Sequence, residues 1–344
     1  MRVVRPKEGE NVLWIRFSAF GDVLQSAASA YVFKKAYPQL RLTFLTSPEY
    51  GSILSKQPYI DNLLFWNVKK RPWDFFHVLH CIRGEYQWLI SMYRGGAAAL
   101  TALFSKAPFR LGYNSVMQFA YTTTHWEYLD ALDVDFTRRD EPMIFTQKED
   151  QEHARSMLRP LPTKRLFAII GASKPQKFWP VAHWIEFLRP LAENGWGIVL
   201  NGHGPKEAET AKAIAEALRA PNVLNLVGLT PFPLMAAIAE SCTIAVGNDT
   251  GPLHLAALLG TPTLGFFGVT DSWGMNFRMP WFREVRVRCP LAGCRNYHCP
   301  LDCLADITPD RALSAFREMV EDQPGKDSKT SVHRSTAHHP SLCG

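Results

Sequence analysis

The chain has 344 residues, 47% hydrophobic and 20% charged, a length and balance that suit two ordinary globular domains, each with its own core. No apolar run reaches the length of a membrane span, and the polar start from Met1 to Glu10 lacks a signal-peptide pattern, which points to a cytoplasmic protein. The net charge of +6 is modest but uneven: Lys34 to Arg110 holds eleven Lys or Arg against four Asp or Glu. Such an excess fits an anionic small molecule or an acidic lipid head group, with no nucleic-acid partner expected; a solvated Lys-rich surface gives the same count.

In chain order, Asn11 to Arg16 predicts a first strand, Phe17-Ser-Ala-Phe-Gly-Asp22 a turn, and Val23 to Tyr37 a helix that Pro38 stops. Asp22 then sits at the carboxyl end of a strand, where ligands collect in open α/β sheets, and can serve as a general base. An N-cap aspartate that satisfies helix N–H groups has the same signature. Leu40 to Thr46, Leu63 to Trp66 and Trp88 to Met92 predict further strands with helical material between them, the alternation of parallel βαβ units. Lys69-Lys70-Arg71 is the densest basic cluster.

Two prolines within Leu158-Arg-Pro-Leu-Pro-Thr-Lys-Arg165 predict a boundary, dividing the chain into residues 1–160 and 161–323. The pattern then restarts with a strand from Leu166 to Ile170. The loop that follows carries Ser173 and Lys177, which can donate to and neutralise a departing phosphate; an exposed loop lysine is the bland alternative. Trp179 and Trp184 read as packing residues. After a helix from Val181 to Asn194 and a strand from Gly197 to Asn201, Gly202-His-Gly-Pro-Lys-Glu207 opens a helix ending near Leu218. Glu207 is either a carboxylate favoured by the helix dipole or an acceptor for ribose hydroxyls. Val223 and Leu226 mark a short strand, and Pro233 to Ser241 a helix.

The stretch from 244 to 260 is the most informative. Thr243 to Val246 predicts a buried strand, Gly247-Asn248-Asp249 a tight turn, and Pro252 the first turn of a helix that Gly260 caps. Free N–H groups and the helix dipole would suit a phosphate or diphosphate, with Thr250 and His254 as added donors. A capped helix behind an incidental Asp-Thr-Gly turn reads the same way. Thr263 to Phe267 is one more strand. Neither half carries Gly-x-Gly-x-x-Gly, so a nicotinamide dinucleotide site is not supported. Four of seven cysteines crowd together as Cys289, Cys294, Cys299 and Cys303, either reduced thiols or a structural metal site, although the spacing lacks paired Cys-x-x-Cys. Residues 324–344 predict a disordered tail whose His333, His338 and His339 are too loosely spaced for a metal.

Taken together, Arg16-Phe-Ser-Ala-Phe-Gly-Asp22-Val-Leu, Lys177-Phe-Trp-Pro180, Gly202-His-Gly-Pro-Lys-Glu207 and Asp249-Thr-Gly-Pro-Leu-His254 resemble the bacterial lipopolysaccharide heptosyltransferases. The similarity runs in order from about Val12 to Ile307. It implies a GT-B fold, two Rossmann-like domains facing each other across a cleft. It also implies heptose transfer from ADP-heptose to the lipopolysaccharide inner core, with inversion and no metal or other cofactor. Asp22 matches the catalytic base, Lys177 and Ser173 the donor-phosphate contacts, and Glu207 the nucleoside-side acid. Asp249, Thr250, Gly251 and His254 match the loop that holds the donor. The implied acceptor is an anionic, Kdo-bearing lipid A, met by peripheral contact at the cytoplasmic face of the inner membrane. Ser18, Lys69, Lys70, Arg71 and Arg94 are the acceptor-side candidates. A transferase or epimerase of the same fold using another nucleotide sugar, such as a UDP-sugar, is the alternative. The four cysteines are not part of the family's core pattern.

Overall fold

The computed structural model describes residues 5–122, 129, 132–272 and 277–322; the expected tail at 324–344, with His333, His338 and His339, lies outside them. Five strands form the first sheet: β1 (Asn11–Ile15), β2 (Arg41–Thr46), β3 (Asn62–Phe65), β4 (Trp88–Ser91) and β5 (Phe109–Leu111). All are parallel, in the order β3-β2-β1-β4-β5. Side chains alternate across a strand, so β1 feeds two cores. Val12 and Trp14 join Val23, Leu24 and Ala27 of α1 (Phe20–Ala36) on one face. Leu13 and Ile15 join α3 (Phe75–Ile82) and α4 (Gly96–Phe104) on the other through Val78, Ile82, Ala98 and Ala99.

The second sheet has six parallel strands: β6 (Arg165–Ile169), β7 (Gly197–Asn201), β8 (Val223–Asn225), β9 (Ile244–Asn248), β10 (Thr263–Phe267) and β11 (Phe282–Arg286). Their order is β11-β10-β9-β6-β7-β8. Each sheet reverses its winding at its first strand, between β1 and β4 and between β6 and β9, and such switch points open a crevice beyond the strands' carboxyl ends. Between and after the strands lie α2 (Gly51–Leu54), α5 (Lys148–Leu158), α6 (Val181–Glu193), α7 (Pro205–Leu218), α8 (Phe232–Glu240), α9 (Gly251–Leu258) and α10 (Pro309–Glu321).

The two halves pack through helices. α1 lies against α9, while α2 and α5 lie against α8, and Phe20 stacks on Phe232 with ring centroids 4.1 Å apart. The α1 face of the first sheet is therefore continuous with the second half, whereas the α3–α4 face packs only within the first. Among the described residues no helix is long and apolar enough to cross a membrane.

Two expectations need correction. β5 and β11, both sheet edges, were not foreseen: Phe109-Arg-Leu and Phe282-Arg-Glu-Val-Arg interleave charge with half-buried side chains instead of forming apolar runs. Helix α1 begins at Phe20, not Val23, which moves Asp22 from the turn into the first helical turn. Trp179 and Trp184 are buried packing residues as expected, and Gly260 takes the left-handed conformation, φ +81°, just beyond α9.

The second core rests on an aromatic cluster in which Phe187 touches the rings of Trp179, Trp184 and Phe316 and is fully buried. Phe187→Ala is expected to cost about 3–5 kcal/mol by leaving a cavity there. The check is a lowered urea midpoint in the transition followed by tryptophan fluorescence, and an unchanged midpoint would show that the site collapses freely.

Candidate functional site

The crevice is built where two helices begin. Asp22 is the third residue of α1, and its Oδ2 accepts from the Ala19 backbone N–H at 3.2 Å. The same oxygen pairs with the Arg16 guanidinium at 2.6 Å. Arg16 is itself fixed by donating to the carbonyls of Ser18, at 2.8 Å, and Met92. Oδ1 makes no hydrogen bond among the described residues, and the Asp22 side chain is 55% exposed. Asp22 is thus anchored by one oxygen and open at the other. Ala19 makes no side-chain cap bond, so the carboxylate that satisfies the N–H at the start of α1 comes from within the first turn.

The start of α9 meets the start of α1. An added Cβ on Gly251 would lie 2.4 Å from the Phe20 ring, and one on Gly21 would lie 3.0 Å from the His254 ring. A Cβ at position 251 would overlap the Phe20 ring, and one at position 21 would press the His254 ring aside by a few tenths of an ångström. Thr250, the residue before α9, makes no cap bond to the helix and instead donates to the Asn248 carbonyl at 3.3 Å. Two helix N-termini without a side-chain cap from the preceding residue, each carrying roughly half a positive charge, therefore converge at the mouth of the crevice. That arrangement attracts an anion.

Asp249 gathers the loops of the second sheet. Its Oδ2 accepts from Lys177 Nζ at 2.6 Å and from Thr270 Oγ1 at 2.7 Å, while Oδ1 lies 3.2 Å from His254 Nε2. The Asp249 and Lys177 side chains are only 10% and 13% exposed. Burial alone would raise the Asp249 pKa, but the hydrogen bond and charge of His254, joined by Lys177, hold it well below the usual carboxylate range. His254 Nδ1 in turn lies 3.1 Å from Gln25 Nε2 of α1. Both ring nitrogens of His254 are thereby engaged, one by Asp249 and one by Gln25. Asn248, fully buried, donates to the Ile170 and Gly171 carbonyls at 3.0 and 3.2 Å and accepts from the Trp179 N–H at 3.2 Å.

Glu207 is held as firmly. It accepts from the N–H of Ala172 at 3.1 Å and from that of His203, and it fills the space where a Cβ on Gly171 or Gly202 would stand. Burial raises its pKa against the opposing pull of these two bonds. Its carboxylate therefore ties the loop after β6 to the loop after β7. A carboxylate has acceptor sites for more than two donors, so a ribose hydroxyl remains compatible with this role. Ser173 is exposed on the same loop as Lys177 and makes no bond among the described residues.

On the first sheet, Ser18, half-buried, follows β1, the exposed Lys69, Lys70 and Arg71 follow β3, and the exposed Arg94 follows β4, all beyond carboxyl ends. Arg71 pairs with Asp74 at 3.2 Å, and the Arg94 guanidinium lies 5.7 Å from the centre of the Tyr113 ring. Cys289, Cys294, Cys299 and Cys303 are free thiols. Burial pushes the Cys303 thiol up, and the three neighbouring thiols add to the effect. Among the described residues, no group of three or more His, Cys, Asp or Glu side chains is arranged to hold a metal ion, so the metal expectation at these cysteines finds no support.

Sequence reading missed Arg16, Gln25 and Thr270 as parts of the site. Thr270 carried a usable signal, since it follows β10 as Asp249 follows β9. Gln25 carried none, because its partner lies 229 residues away.

Three comparisons bear on this geometry. The model of glycosyltransferase family 9 (heptosyltransferase) matches residues 77–304. Lipopolysaccharide heptosyltransferase 2 of Salmonella typhimurium is 23% identical over 91% of this chain and 99% of its own. Two solved structures share the fold. A family 9 glycosyl transferase from Veillonella parvula covers 92% of this chain and 98% of its own, at 17% identity and a TM-score of 0.78. The E. coli ADP-heptose lipopolysaccharide heptosyltransferase II covers 91% and 98%, at 20% identity and 0.70. Two Rossmann-like domains opposed across a crevice make this a GT-B fold.

A pH test isolates the Asp249 cluster. The native carboxylate is held below its unfolded value of about 3.9, so its stabilisation is complete above that pH and fades as pH falls toward the native value. Asp249→Asn is expected to lose about 3 kcal/mol at pH 7, by stranding buried Lys177. The gap from wild type should narrow below pH 4. Urea midpoints across that range decide, and a gap independent of pH would place the stabilisation elsewhere.

Proposed function

Because the chain belongs to glycosyltransferase family 9 (heptosyltransferase), we propose that it moves a heptose from ADP-heptose to the Kdo- and heptose-bearing inner core of lipopolysaccharide. Transfer inverts the anomeric carbon, with Asp22 as the general base. The observation that carries this reading is the meeting of the α1 and α9 N-termini, with an open carboxylate on one side and the Asp249–Lys177–His254 cluster on the other.

A nucleotide diphosphate is already a good leaving group, so a single base is enough, unlike the paired carboxylates of inverting hydrolases. Asp22 Oδ1 accepts the proton of the acceptor hydroxyl as its oxygen bonds to the anomeric carbon. The bond from that carbon to the diphosphate breaks, and its electron pair leaves with ADP. The growing phosphate charge is met by Lys177, with Ser173 as a donor, and by the backbone at Thr250 and Gly251. Asp249, itself held by His254, positions Lys177 for this, and Glu207 faces the nucleoside. Residues 161–323 bind the donor. Residues 1–160 bind the anionic, Kdo-bearing lipid A acceptor through Ser18, Lys69, Lys70, Arg71 and Arg94, at the cytoplasmic face of the inner membrane.

Incubation with ADP-heptose or UDP-sugars, each with a soluble core acceptor, tests the donor: ADP release is expected, and turnover with UDP-sugars alone would overturn the assignment. Asp22→Ala should lower kcat by at least about 100-fold while the Kd for ADP stays within about twofold. A variant with near-normal kcat would remove Asp22 as the base. Lys177→Ala is expected to lower kcat by about 100-fold or more in protein confirmed folded by its melting profile, and normal turnover would exclude its part in leaving-group stabilisation.

A further inference from the structure

One surface is left unexplained by the transfer chemistry. Among the described residues, every strongly exposed Phe or Trp lies between positions 65 and 119. Trp73, Phe76 and Phe119 are 63%, 75% and 68% exposed, and Val116 is 83% exposed. These positions share the outer layer of the first sheet. α3 packs on α4, α4 packs on the short turn at 118–120, and the Phe75 ring touches those of Phe76 and Phe104. The inner sides of α3 and α4 fill a core belonging to the first half alone, so this layer faces away from the second half.

The charge around these side chains has one dominant sign. From Phe65 to Phe119 the chain carries Lys69, Lys70, Arg71, Arg83, Arg94, Lys106 and Arg110 against only Asp74 and Glu85, and Asp74 is already paired with Arg71. Three of these seven cations are Lys, a residue depleted where proteins meet, and their excess over carboxylates favours an anionic surface. A bilayer surface suits both: Trp and Phe enter the head-group boundary, and basic side chains meet anionic head groups. The loops that carry Lys69 to Arg71 and Arg94 leave the carboxyl ends of β3 and β4, the same edge of the sheet as Asp22. A membrane on the α3–α4 layer would thus lie beside the crevice.

We propose that the outer layer formed by α3, α4 and the 116–119 turn docks on an anionic lipid surface, with Trp73, Phe76, Phe104 and Phe119 inserted and Lys106 and Arg83 among the flanking cations. The inference deepens the reading of a lipid-anchored acceptor and rests on it for purpose, but binding can be read without turnover.

The full chain is mixed with vesicles of phosphatidylglycerol and phosphatidylethanolamine, or of phosphatidylcholine alone, and sedimented at low and high salt. Binding to the anionic vesicles is expected, at least tenfold stronger than to phosphatidylcholine and weakened by salt. Phe76→Ser with Phe119→Ser should reduce it at least tenfold, as should Lys106→Glu with Arg83→Glu. The Phe variant should keep its melting temperature and its rate on a soluble core acceptor, and lose rate only on acceptor embedded in vesicles. Equal sedimentation of wild type and the Phe variant, or none with anionic vesicles, would overturn the proposal. So would wild-type dimers that the Phe variant converts to monomers, since the face would then be a protein interface. Vesicle binding without heptose transfer to any acceptor would retain the docking face and reject the proposed reaction.

Discussion

The site depends on a buried carboxylate that must be satisfied from several directions at once. Asp249 lies out of water at the end of β9, and an unpaired charge there would cost several kcal/mol. Its three partners come from separate segments: Lys177 from the loop after β6, His254 from the first turn of α9, and Thr270 from beyond β10. Holding Asp249 therefore holds three strand ends in one geometry. The cluster also reaches the other half, because His254 passes its second nitrogen to Gln25 of α1. Electrostatics in the second half is thereby coupled to the helix that carries Asp22.

The second constraint is steric. Gly21 and Gly251 bring two helix starts so close that a side chain at 251 would collide with Phe20 and one at 21 would press on His254, and Phe20 stacked on Phe232 fixes the approach. Positive helix ends brought together repel each other weakly, and a negative charge beside them relieves that repulsion. Asp22 does this in part for α1 through its bond to the Ala19 N–H. A diphosphate bound at α9 would do it for the other helix. Anion affinity and domain contact are then one property, and ligand binding should stiffen the junction.

How much of this was legible follows from the range of each interaction. Central strands such as β7 and β10 were readable to the residue, since burial on both faces demands continuous apolar runs. The edge strands β5 and β11 were not, because one open side lets charge intrude. Asp22, Lys177, Glu207 and Asp249 could be found because each follows a strand end, a position that local pattern reveals. Their pairings could not. Nothing local says that Asp22 is held by Arg16 across a turn, or that Lys177 rests on Asp249 72 residues away in the chain. The cysteine group shows the reverse: proximity in sequence raised an expectation of metal binding that the described geometry does not support.

The first sheet also shows why its two faces differ. Both are covered by helices, and both inner layers are apolar, so folding alone gives no reason for asymmetry outside them. On the α1 side, the outer surface is used up in contact with α8 and α9. On the α3–α4 side, no described residue covers the exposed rings of Trp73 and Phe76. A soluble fold under no other demand would place polar side chains there, as it does on α5 and α7 with their Glu, Lys and Gln. Large rings kept in water beside an excess of cations are instead what the proposed lipid docking requires. The same sheet carries Asp22 after β1 and the basic loops after β3 and β4, so the proposed chemistry and the proposed docking share one rigid element.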